Sequence, residues 1–112
     1  MCGIVGGIGI SNFDKKKLLS SIEHRGPDSN GFYSDNHFFL GHTRLSIQDL
    51  SDNAKQPMYS SDGRFVIVFN GEIYNHAEIR QNLNAEVEFK STGDTETVLY
   101  AYIKYGKDAL NL

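Results

Sequence analysis

The chain has 112 residues, 39% of them apolar and 22% charged, a formal net charge of −3 and a single cysteine. Those values describe one small globular domain, and with basic residues clustered only at Lys15, Lys16 and Lys17 they exclude electrostatic support for a nucleic-acid or membrane-surface partner. One cysteine leaves no internal disulfide and fits a reducing, cytoplasmic setting; no run is long enough to span a bilayer, no signal-type segment opens the chain, and no cysteine–histidine spacing resembles a zinc site.

The segment Met1 to Gly9, MCGIVGGIG, sets that cysteine directly after the initiator methionine. Removal of Met1 would make Cys2 the N-terminus and place its α-amine a few atoms from its sulfur. An α-amine with a pKa of about 7.7–8.0 and a thiol of about 8.5 exchange a proton with little driving force either way, so one residue could supply both nucleophile and general base. The bland alternative is a small buried apolar residue near a terminus. Ile4, Val5, Ile8 and Ile10 are strand-forming, and Gly3, Gly6, Gly7 and Gly9 strip side chains from the segment. Together they predict a buried strand closely approached by other backbone. A dinucleotide loop does not fit, because no strand precedes these glycines.

Asn12 or Asp14 is placed to cap a short helix carrying Lys15, Leu18, Leu19 and Ile22, with Gly26 as its stop. Arg25-Gly26-Pro27-Asp28 reads as a defined turn in which the guanidinium is surplus to the turn itself. Gly31 to Gly41 predicts a hairpin about Asp35-Asn36, and His42 to Ile47 a further strand with Leu45 and Ile47 on one face and Arg44 on the other. An arginine so placed is usually solvated. Gln48 to Pro57 is loop-like; Ser60-Ser61-Asp62-Gly63 then signals a second hairpin, and Phe65 to Phe69, the most apolar run, predicts a central strand buried on both faces. Asn70-Gly71 could be a plain hairpin turn, but His76 to Leu83 has helical spacing, so the turn leads from strand to helix. Glu86 to Lys90 alternates like a short strand. From Ser91 to Asp94 a helix begins and runs to about Tyr105, with Val98, Leu99, Tyr102 and Ile103 as its buried stripe and Asp94 as a possible cap; Gly106 ends it.

Five blocks are now in hand: MCGIVGG at 1–7, HRGPDS at 24–29, GHTRLSI at 41–47, NGEIYN at 70–75 and GDTE at 93–96. In this order they resemble the class II glutamine amidotransferase domain, that of asparagine synthetase in particular, and Gln56-Pro57-Met58 favours the same branch over the sugar-phosphate and purine branches. The resemblance implies an α+β fold, an N-terminal nucleophile hydrolase-like αββα sandwich of antiparallel sheets. It also implies roles. Cys2 attacks the side-chain amide of L-glutamine and forms a γ-glutamyl thioester. The Asn70 side chain and the Gly71 N–H hold the oxyanion. Arg44 meets the α-carboxylate, Asp94 with Glu72 the α-ammonium, and backbone groups of Leu45, Ile47 and Gln48 complete the pocket, while Arg25 and Gly26 brace the Cys2 terminus. No metal or cofactor is implied in this chain.

The family's glutaminase domain is longer and is joined to an ATP-pyrophosphatase synthetase domain that uses ATP and magnesium; no Ser-Gly-Gly phosphate loop is in this sequence. Residues 1–112 are therefore expected to be a truncated glutaminase domain, with the C-terminal synthetase domain as its partner and an exposed sheet edge able to form a homodimer. Other readings stay open: a non-catalytic module of the same fold, a relative delivering ammonia to a sugar in surface-polysaccharide synthesis, or a cysteine–histidine hydrolase using His24 or His42.

Overall fold

The computed structural model describes residues 2–10, 12–45 and 51–112. A three-stranded antiparallel sheet forms from β1 (Gly3–Ile8), β2 (Ser29–Ser34) and β3 (Phe38–Arg44), with β3 in the middle. The register pairs Gly3 with Thr43 and Ile8 with Phe38 on one side, and Ser29 with Arg44 and Ser34 with Phe39 on the other. The β2–β3 turn forms where Asp35-Asn36 predicts it: Asp35 Oδ1 accepts from the backbone N–H of His37 at 2.7 Å and of Phe38 at 3.0 Å.

Helix α1 (Lys15–Ile22) starts at Asp14 rather than Asn12, the Asp14 carboxylate accepting from Lys17 N. It lies across one face of the sheet. Strand alternation sends Phe39, Gly41 and Thr43 toward it. A Cβ on Gly41 would meet Val5, Phe32 and Leu19 at 2.8, 3.1 and 3.3 Å, the rings of Phe13, Phe32 and Phe39 cluster, and Thr43 Oγ1 donates to Ile22 O at 2.8 Å. A single helical turn, Glu23–Arg25, then leads to Gly26, and Asp28 N donates to Arg44 O at 2.9 Å. The predicted Arg25 to Asp28 turn thus runs beside the end of β3.

The second hairpin pairs β4 (Met58–Tyr59) with β5 (Val66–Ile67) around Gly63 at φ 73°. Asp62 Oδ1 closes its loop by accepting from Ser60 Oγ and Arg64 N. It meets the sheet on the face away from α1: Tyr33 packs edge-on against Tyr59, and the Gln56 carbonyl presses onto Gly31. Helices α2 (His76–Leu83) and α3 (Asp94–Tyr105) complete the chain with a final short helix, Gly106–Asn111. Leu83, Leu99, Ala101 and Met58 are buried in this half. The whole is mixed helix and antiparallel sheet, and no helix of the described residues is long and apolar enough to cross a membrane.

Several local expectations are corrected. The predicted buried strand at Met1 to Gly9 is half-buried: only the α1 side of β1 is covered, and Ile8 is 87% exposed. The hairpin and the following strand are one strand, because Gly41 is filled by its neighbours' side chains instead of breaking the pairing; of the predicted extension, Leu45 is outside the strand and the rest lies outside the described residues. Phe65 to Phe69 is not a central strand buried on both faces. Two of its residues pair, with β4 alone among the described residues, the run is half-buried, and Phe69 N donates to the Gln56 side chain instead of to a neighbouring strand. Glu86 to Lys90 is not a strand either, since Glu86 N and Val87 N turn back to Leu83 O and Lys90 N goes to the Glu96 carboxylate. On α3 the stripe is displaced: Tyr102 and Ile103 are exposed and Val98 half-buried, while the polar first turn is buried.

The tight seat of Gln56 and Pro57 over β2 makes a direct prediction. Gly31→Ala would drive a Cβ into the Gln56 carbonyl and within 2.9 Å of Pro57, and should cost about 1–3 kcal/mol. Chemical denaturation would read this; an unchanged midpoint would mean that the 56–57 segment yields freely.

Candidate active site

The second face of β3 carries the polar side chains. His42 and Arg44 alternate with Gly41 and Thr43, so they point away from α1 into a cavity of about 400 Å³, within the range of small-molecule sites. Its walls come from five places in the chain: Cys2 before β1, Arg44 and Leu45 at the end of β3, Gln56 ahead of β4, Asn70, Gly71 and Glu72 after β5, and Asp94 at the start of α3.

Cys2 is held from two sides. Its Sγ accepts from Leu45 N at 3.4 Å and lies 3.6 Å from Leu45 O, and its carbonyl accepts from Arg25 Nε at 3.1 Å. The surplus guanidinium of the turn therefore reaches the cysteine. Gly26 contributes by its lack of a side chain, since a Cβ there would collide with the Thr43 carbonyl and push the turn off β3. Neither His24, which is exposed, nor His42 bonds to the sulfur among the described residues, so a cysteine–histidine pair is not assembled.

Arg44 is not solvated as an average strand arginine would be: it is 7% exposed, and its Nη1 donates to Ser51 O at 3.0 Å. Asp94, 5% exposed, is not the cap of α3. Gly93 holds that position, and the Asp94 carboxylate accepts from Ile73 N at 2.8 Å, tying the 70–75 turn to the helix start. Glu72 is exposed at the rim, and Gly71 needs its missing side chain because the Phe69 ring lies 2.8 Å from where a Cβ would be. Ile47 and Gln48 lie outside the described residues.

Residues to which sequence reasoning gave no structural role hold these loops in place. Gln56 links two of them, accepting from Phe69 N at 2.5 Å and donating to Thr95 Oγ1 at 3.2 Å. Glu96, buried, accepts from Lys90 N, Ser91 N and Ser91 Oγ; Arg80 donates to Ser91 O, Gly93 O and Thr97 Oγ1 while its guanidinium stacks 3.9 Å from the Phe89 ring centre. Burial holds the Arg80 pKa below its usual value. One signal was available for Glu96, which stands at the third helical position, where a glutamate reaches back to free N–H groups. Among the described residues no group of three or more His, Cys, Asp and Glu gathers to hold a metal.

The family model for the glutamine amidotransferase domain matches residues 1–112. The chain belongs to that family. It is 40% identical over 118 residues to a probable glutamine-hydrolysing asparagine synthetase of Schizosaccharomyces pombe, covering 100% of this chain and 21% of the relative. It is also 40% identical to asparagine synthetase 1 of Bacillus subtilis, over 97% of this chain and 18% of that protein, and 35% identical to asparagine synthetase 1 of Arabidopsis thaliana, over 100% and 20%. The amidotransferase chain thus spans about a fifth of the length of the curated relatives it matches.

His42 supplies a pH prediction for this amidotransferase domain. Burial, with a smaller contribution from the Arg44 guanidinium, lowers its pKa from 6.5 to about 4, against the pull of the Phe69 backbone. The folded state therefore binds this proton less readily than the unfolded chain. Its stability contribution is complete above pH 6.5 and is lost as pH falls toward 4, up to about 3 kcal/mol. Urea unfolding between pH 7 and 4.5 should show the wild type losing stability relative to His42→Gln, and parallel curves for the two would refute the assignment.

Proposed function

We propose that this chain is the glutamine-hydrolysing part of a class II amidotransferase of the asparagine synthetase type, folded as an N-terminal nucleophile hydrolase-like αββα sandwich. The observation that carries the reading is the convergence on one cavity of the thiol of Cys2, the Asn70-Gly71 turn, buried Arg44 and buried Asp94. The relatives' names, all asparagine synthetases, favour aspartate over a sugar as the ammonia acceptor in an adjoining ATP- and magnesium-dependent domain.

With Met1 removed, the Cys2 α-amine takes the Sγ proton and the thiolate attacks the amide carbon of glutamine. The carbonyl oxygen becomes an oxyanion beside the Asn70 side-chain amide and the Gly71 N–H, donors each worth about 2.7–4 kcal/mol in such a transition state. The C–N bond breaks, the protonated amine gives its proton to the departing ammonia, and a thioester remains. Water, deprotonated by the same amine, adds to the thioester and releases glutamate and the thiol. Arg44 takes the α-carboxylate by its forked donors, strengthened by exclusion of water. Asp94 with Glu72 takes the α-ammonium, and backbone groups of Leu45, Ile47 and Gln48 close around the substrate. Arg25 and Gly26 keep the Cys2 backbone aimed.

In the full-length natural protein, Cys2→Ala should abolish glutamate release from glutamine while leaving circular dichroism and melting unchanged. Arg44→Ala should raise KM for glutamine by about 10–100-fold, the scale of a charge-assisted hydrogen-bonded pair, and change kcat less. Intact mass should show Met1 absent. Turnover that survives Cys2→Ala, or an active protein that retains Met1, would overturn the mechanism.

A further inference from the structure

His42 is the deepest polar side chain of the cavity wall and has no role in the chemistry above. It sits mid-strand on β3, 1% exposed, and neither Nδ1 nor Nε2 has a hydrogen-bond partner among the described residues. A neutral imidazole has one donor and one acceptor, and leaving them unmet in the interior is costly enough that each such case calls for a reason. The neighbouring backbone of Phe69 supplies one. It favours the protonated ring, as a carbonyl does, yet no completed bond joins the two.

The Phe69 carbonyl shares a peptide unit with the N–H of Asn70. The preceding peptide is already fixed, because Phe69 N donates to Gln56 Oε1 at 2.5 Å and Gln56 is in turn anchored on Thr95. The Phe69 ring fills the space at Gly71. The approach to the Asn70-Gly71 turn is therefore gripped on its N–H side, and His42 lines the same cavity as Phe69, close enough for the Phe69 backbone to act on its ring without a completed bond.

We infer that His42 is a positioning residue: with glutamine in the cavity its ring N–H donates to the Phe69 carbonyl and sets the peptide plane from which Asn70 and Gly71 reach the oxyanion. This rests on the glutamine-hydrolysing reading of the cavity. The ring acts as a neutral donor and takes no proton from Cys2.

Steady-state glutamine hydrolysis by the full-length natural protein tests it with His42→Phe and His42→Gln beside the wild type. His42→Phe should lower kcat by about 10–100-fold, the cost of a misplaced reacting geometry, with KM within about threefold; His42→Gln, which keeps an N–H donor, should recover most of the loss. A kcat unchanged in His42→Phe, a loss confined to KM, or a His42→Gln protein as slow as His42→Phe would overturn the assignment. Should His42→Phe fail to fold, 15N-resolved histidine spectra of the wild type decide: adding glutamate, the product, should move the His42 ring N–H downfield into a hydrogen-bonded position, and an unmoved resonance overturns it. A wild type that hydrolyses no glutamine would instead sink the functional reading itself.

Discussion

The alternation of β3 organises the molecule. Consecutive side chains of a strand leave opposite faces, so Phe39, Gly41 and Thr43 seat α1 while His42 and Arg44 enter the cavity. Because β3 is paired on both sides, this assignment cannot slip by one residue without exchanging the two sets. The same register puts Gly3 opposite Thr43, which delivers Cys2 to the end of β3 where Leu45 and Arg25 receive it. Cys2 and Arg44 are neighbours in the cavity wall because two strands are paired, not because they are close in the chain.

The other wall has little regular structure of its own and is fixed by side chains that replace backbone partners. Gln56 stands in for a neighbouring strand at Phe69, Asp94 for a turn partner at Ile73, and Glu96 for the missing ladder at Lys90 and Ser91. Asp94 and Glu96 put a charged group into the interior, and Gln56 is half-buried. Removing one partner of such a set leaves the rest desolvated, which is dearer than the set's net worth. The arrangement therefore adds less stability than its bond count suggests and more definition of geometry, which a binding site requires.

What the residues disclosed and what they withheld divide along this line. Helices α1 and α2, the start of α3 and both hairpin turns could be read from spacing and from Asp35, Gly63 and Asp14, because those signals are local. The Phe65 to Phe69 run and Glu86 to Lys90 misled because alternation and apolarity report what a segment would bury, not which neighbour reaches it. Arg44, Glu72 and Asp94 were nameable through the blocks that hold them; the burial of Arg44 and Asp94 was not, since it depends on loops distant in sequence closing over them. Gln56 and Arg80 gave no local sign of their bridging, for an amide or a guanidinium looks the same on a solvated surface.

The charge of the cavity follows from the neutrality of His42. Arg44 brings one positive charge and Asp94 and Glu72 negative ones, which under the proposed reading complement a zwitterion that carries a carboxylate and an ammonium at one end and an uncharged amide at the other. A protonated imidazole two residues from Arg44 would add a second cation to the cavity wall. Burial prevents this at neutral pH by keeping the ring's pKa at about 4. The depth of His42 thus leaves Arg44 as the one cation among the described residues that line the cavity, so a single side chain there offers a positive charge to an anionic group.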